Sequence, residues 1–118
     1  MKLSIQSQDN GVVKLRVEGR VSQRDVASDT EPFVRLLGDD AFHQTLLLDM
    51  SEVAALDSSG VNWLLVCQKK VRERGGRLIL HSLSPIAKNV IKVLNLQTIF
   101  TMAEDLGEAI SLVEGESA

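Results

Sequence analysis

The chain has 118 residues, of which 44% are hydrophobic and 25% charged, and a net charge of −3. That is the size and composition of one globular domain with a real core. The acidic balance argues against direct nucleic-acid binding, which needs a basic surface, and a single cysteine, Cys67, excludes an internal disulfide and the cysteine-rich zinc patterns.

Met1 leads into an alternating stretch and not into the apolar core of a signal peptide. Leu3 and Ile5 alternate with Lys2, Ser4 and Gln6, and Val13, Leu15 and Val17 with Lys14, Arg16 and Glu18. Asp9-Asn10-Gly11 between them supplies the positive φ angles of a tight hairpin turn. Two antiparallel strands, each with one apolar face, are expected. A polar loop from Gly19 to Thr30 follows. Glu31-Pro32 then opens a short helix to about Leu37, ended by Gly38 in the left-handed conformation.

Leu46, Leu47 and Leu48, ending in Asp49, read as a strand buried on both faces. After Asp57-Ser58 a helix runs to about Arg74. Lys69, Lys70, Arg72 and Arg74 complement its carboxyl end, and Gly75-Gly76 stops it. Leu78, Ile79 and Leu80 form the next buried strand. Ser84-Pro85 caps a helix with Ala87, Val90, Ile91 and Leu94 in its apolar stripe, and Asn95 is its expected C-cap. Thr98 to Phe100 reads as a short strand. Thr101 and Glu104 make a capping-box pattern before a last helix with Leu106, Ile110 and Val113 inward. Residues 1–113 are expected to form one domain, with Glu114 to Ala118 a frayed polar tail. No apolar run approaches the length of a membrane span, so a cytoplasmic protein without membrane insertion is the expectation.

The order β-β-α-β-α-β-α-β-α implies an α/β fold: a mixed sheet of four to five strands with helices mainly on one face. On the helix after Asp57, Val61, Leu64, Leu65, Cys67 and Val71 fall on the inward side at 100° per residue. Asn62, Val66, Lys69 and Glu73 face outward, and Trp63 lies at the margin. Two readings of Trp63 stand together, a cover for the core edge or an anchor for a partner. Asp57-Ser58-Ser59-Gly60 is a helix cap by local chemistry. If Ser59 is the cap residue, Ser58 is left freer to react. Cys67 reads as a small buried hydrophobe. His43 and His81 read as bystanders, and no metal site is expected.

Leu48-Asp49-Met50-Ser51-Glu52-Val53, then Leu56-Asp57-Ser58-Ser59-Gly60 opening a helix, then Gly75-Gly76 and Ser84-Pro85 at matching spacing, resemble the STAS domain family. More closely, nearly the whole chain is similar to the bacterial anti-sigma factor antagonists. The resemblance implies a transcription-regulating phosphoprotein. In such antagonists the first serine of the motif, here Ser58, is phosphorylated by a partner that is both serine kinase and anti-sigma factor. The unmodified form captures that partner, and a serine phosphatase resets the cycle. Asp57, Ser59 and Gly60 then shape the site, Asn62, Trp63 and Val66 continue the contact face, and Arg20 and Ser22 flank it. ATP belongs to the kinase; no cofactor is expected here, and the chain is expected to be a monomer or weak dimer. One departure stands out. The family carries an acid in a Gly-x-Leu-Asp pattern after the second strand, whereas this chain has Gly19-Arg20-Val21-Ser22, with Asp25 three residues on.

Two alternatives accompany this reading. One is a constitutive STAS binding module in a larger signalling or lipid-transport assembly. The other is a small serine hydrolase using Ser58 and His81. It lacks the Gly-x-Ser-x-Gly elbow, since Leu56 stands at the first glycine position.

Overall fold

The computed structural model describes residues 1–21 and 32–117. Strands β1 (Lys2–Asp9) and β2 (Val12–Val21) are followed by helix α1 (Pro32–Leu37), a 3-10 turn (Ala41–His43) and strand β3 (Thr45–Leu56). Then come α2 (Ser58–Arg74), β4 (Arg77–His81), α3 (Pro85–Val93), β5 (Thr101–Ala103) and α4 (Leu106–Ser117). The five strands form one sheet in the order β1-β2-β3-β4-β5. β1 is antiparallel to β2, and every other neighbouring pair is parallel. The mixed sheet and its element order are those expected from the sequence. Asn10 and Gly11 take φ of 51° and 77° in the hairpin, as an Asn-Gly turn requires.

The sheet has a core on each face, which explains its apolar triplets. Leu46 and Leu48 of β3, with Leu78 and Leu80 of β4, belong to the larger core under α1, α2 and α3. Leu47 and Ile79 point the other way and pack with Ala103 and Ala109 beneath α4. Strand residues alternate faces, so a central strand covered on both sides has no polar position to offer.

Several boundaries differ from the sequence reading. β3 does not end at Asp49 but runs to Leu56, up to the motif. The β2–β3 register shifts twice along it, between Arg16 and Glu18 and between Gly19 and Arg20, and β3 gains a residue each time. Such bulges bend a strand and add twist, which tolerates polar Ser51 and Glu52 inside it. The last strand lies at 101–103 and not at 98–100. Asn95 adopts φ 57°, and Ile99 and Phe100 both donate N–H bonds to the Leu96 carbonyl, so 98–100 are held in a turn. Thr101 is therefore in a strand and caps nothing. Asp105 is the capping residue of α4, accepting the Glu108 N–H at 2.8 Å, while Glu108 accepts the Glu104 N–H at 3.3 Å. Leu94, expected in the buried stripe of α3, is its C-cap and 49% exposed, with Asn95 one position beyond. The stretch expected to fray continues α4 through Glu114 to Ser117.

Candidate functional site

The tetrapeptide sits where β3 turns into α2. β3 remains extended into Asp57 (φ −91°, ψ −179°), which makes that residue, and not Ser59, the N-cap. Asp57 Oδ1 accepts the Gly60 N–H at 2.9 Å, and the Asp57 carbonyl accepts the Val61 N–H at 3.0 Å. Ser58 and Ser59 are thus the first two helical residues. Helix starts leave N–H groups without intrahelical partners. Here the Gly60 N–H is satisfied by the cap, while those of Ser58 and Ser59 have no partner among the described residues. Ser58 is exposed and Ser59 half-buried. The exposed hydroxyl of Ser58 therefore lies beside two unspent donors at the positive end of a 17-residue helix.

Gly60 is buried for a reason its sequence context hides. A β-carbon there would lie 2.7 Å from the Val21 carbonyl oxygen and 2.8 Å from Leu56 Cδ1. The first turn of α2 rests directly on the ends of β2 and β3. The Asp57 N–H completes that joint, donating to the Val21 carbonyl at 3.3 Å. Ser58 is thus mounted directly on the end of the sheet.

Asn62 is exposed and Val66 is 39% exposed, so both continue the Ser58 face along α2. Trp63 does not stand at the margin. It is 6% exposed and stacks on Phe33 of α1 at 5.3 Å and 18°, and Phe33 meets Phe42 edge-on at 6.2 Å. Leu65, assigned inward, is half-buried in its place. The helical wheel missed this because α1 extends the apolar surface beyond the sheet. The pairing partners were visible only as two of three phenylalanines in a chain with one tryptophan. Arg20 is exposed at the same end of the sheet, paired with Ala55. Ser22 and Asp25 lie outside the described residues.

The Ser58–His81 dyad of the hydrolase alternative is not assembled. His81 pairs with Asp49, and Asp49 with Arg16 of β2. Leu56, just before the motif, pairs with Val21, five residues beyond Arg16. Five strand residues span about 16 Å. His81 Nδ1 instead meets Ser82 Oγ at 2.8 Å. Among the described residues no group of three His, Cys, Asp or Glu side chains could hold a metal ion. No helix among them is long and apolar enough to cross a membrane.

A serine at a helix start behind a parallel strand, on this sheet order, is the arrangement of a mixed α/β domain. A family model for the STAS domain matches residues 5–109, and the chain belongs to that family. Its fold is similar to that of a Thermotoga maritima protein assigned as an anti-sigma factor antagonist (20% identity, 95% of this chain and 94% of that one, TM-score 0.78). It is also similar to the anti-sigma factor antagonist SpoIIAA in its unphosphorylated form (24% identity, 97% of each chain, TM-score 0.71). The phosphorylated form of the Bacillus cell fate determinant SpoIIAA matches at 23% identity over 95% of this chain and 99% of that one, with TM-score 0.64. At these identities the likeness to the solved structures is one of fold.

Proposed function

We propose that this chain is a bacterial, cytoplasmic anti-sigma factor antagonist, and that phosphorylation of Ser58 switches off its capture of an anti-sigma factor with serine kinase activity. The observation that carries this reading is the placement of Ser58: exposed, at the first position of α2, with its own N–H and that of Ser59 unpartnered among the described residues. Its membership of the STAS family and its likeness to antagonists solved with and without phosphate support it.

The chemistry of the switch follows from the cap. A phosphoserine adds about −1.5 to −2 charges at neutral pH. Placed at a helix N-terminus, that charge is stabilised by the free N–H groups and the dipole, so the fold tolerates modification. The partner does not. With Asp57 adjacent, the phosphate makes a dense negative point at the N-terminal end of the face formed by Ser58, Asn62 and Val66. A partner surface packed there meets like-charge repulsion and the cost of desolvating the phosphate. In this reading Arg20, at the same end of the sheet, offers the phosphate a charge-assisted bond. A serine phosphatase restores the capturing form. The switch acts at the interface and leaves the core unchanged.

One sequence feature favours a second reading. Ser22 stands where the family carries the acid associated with the kinase reaction. Without phosphorylation the same face would serve a constitutive STAS module. Affinity capture from the source bacterium separates the two, using wild type, Ser58→Ala and Ser58→Asp as baits. The switch predicts that wild type and Ser58→Ala retain the kinase, while Ser58→Asp binds it at least about tenfold more weakly, a loss of about 1.4 kcal/mol or more. Equal capture of one assembly by all three baits would leave Ser58 a helix-start residue and nothing more.

A further inference from the structure

One open cavity among the described residues lies away from the motif and shares no residue with it. It holds about 450 Å³ between α3, the edge strand β5 and the start of α4. That volume falls in the range of small-molecule sites, about 300–1,000 Å³. Its floor is apolar: Leu83, Ile91, Met102 and Ala103. Ile91 and Ala103 are buried, and Leu83 and Met102 are half-buried against the main core. The cavity exists because β5 has only three residues and ends the sheet, and because Ala103 fills little of the space beside it.

The rim is charged, and its charges are unequally satisfied. Lys88 and Lys92 stand one turn apart on α3. Lys88 Nζ lies 3.9 Å from Glu104 Oε2. Glu108 accepts the Glu104 N–H through Oε1. Lys92 Nζ is the one cation of the rim with no partner among the described residues. An apolar floor beneath a single unpaired cation suits a ligand with an apolar body and one negative charge. A dianion would suffer the nearby carboxylates of Glu104 and Glu108 without a second free cation to offset them.

We propose that this cavity binds a small monocarboxylate with an apolar tail, the tail lying on Leu83, Ile91 and Met102 and the acid on Lys92. The site is independent of the Ser58 reading. Titration of the full chain with sodium octanoate, followed by 15N–1H NMR, tests it, with octylammonium chloride as the charge-reversed probe. Saturable shifts are expected at Ile91, Met102, Ala103 and Glu104, with octylammonium weaker. Lys92 is exposed, so Lys92→Ala and Lys92→Glu retain the fold, which the same spectra verify. Lys92→Ala should weaken octanoate about fivefold, the scale of one exposed ion pair, and Lys92→Glu more. The proposal is overturned by shifts confined to other residues, by octylammonium binding as tightly as octanoate, or by an affinity indifferent to both Lys92 variants.

Discussion

Gly60 is under the tightest constraint in the motif, although it carries no functional group. Alanine is the better helix former by about 1 kcal/mol, so Gly60→Ala would stabilise an isolated helix. Here the added methyl would press on the Val21 carbonyl at 2.7 Å and on Val21 Cγ1 at 2.9 Å. Backbone cannot step aside as a flexible side chain can, and overpacking of this kind costs about 1–3 kcal/mol. A net loss of up to about 2 kcal/mol is expected, read as a lowered urea midpoint with an unchanged slope. A midpoint at or above that of wild type would show that α2 does not rest on β2 as described. This contact was not legible in the sequence, where Gly60 reads as one more turn residue. The cap was legible only as a choice. Asp57 and Ser59 each offer an oxygen at the right offset, and the choice is made by β3, which stays extended through Leu56 and leaves Asp57 as the last non-helical residue.

Elements were legible where the signal is local and ambiguous where a neighbour decides. Ser84 and Pro85 announced α3 on their own: the Ser84 hydroxyl oxygen accepts the Ala87 N–H at 3.2 Å, and proline occupies the first turn. β5 was misplaced by three residues because Ile99 and Phe100 look as strand-like as Met102, and only pairing with β4 distinguishes them. The helical wheel of α2 likewise took the sheet as its only partner. α1 supplies a second one, and Trp63 becomes the joint between α2, Phe33 and, through Phe33, Phe42. An aromatic pair of this kind contributes about 0.5–1.5 kcal/mol beyond the area it buries. Truncation of a buried tryptophan costs about 3–5 kcal/mol. Trp63→Ala is therefore expected to weaken partner capture by depopulating the fold, and its urea midpoint should fall by that energy divided by the slope. A Trp63→Ala protein of near-wild-type stability that had lost binding would instead make Trp63 an interface anchor.

Across the whole molecule, one row of polar side chains runs over three strands on the α4 side of the sheet, and it bears on how the fold responds to acid. Arg16, Asp49 and His81 are register partners on β2, β3 and β4. Arg16 Nε lies 3.4 Å from Asp49 Oδ2, and the Ser51 N–H donates to Asp49 Oδ1 at 2.8 Å. Burial works to raise the Asp49 carboxyl, but the Ser51 hydrogen bonds and the charges of His81 and Arg16 outweigh it and hold the group below the usual carboxylate range. For His81 burial dominates and lowers the imidazole, with Asp49 and Asp105 opposing it. The two shifts have the same consequence at different pH. An imidazole lowered by folding is protonated first in the unfolded chain, so stability is full above the unfolded value, about 6.5, and declines as pH falls through it. A carboxyl lowered by folding also favours the folded state above its unfolded value, about 4, and that contribution is lost as pH falls further. Acid should therefore destabilise the domain in two stages, the first belonging to His81. Urea midpoints measured from pH 8 to pH 5 should fall in wild type. In His81→Gln, which keeps a hydrogen-bonding group and cannot titrate, the same series should be flatter whatever its absolute stability. An identical decline in both proteins would place the first stage on some other group and leave the Arg16–Asp49–His81 row a static brace.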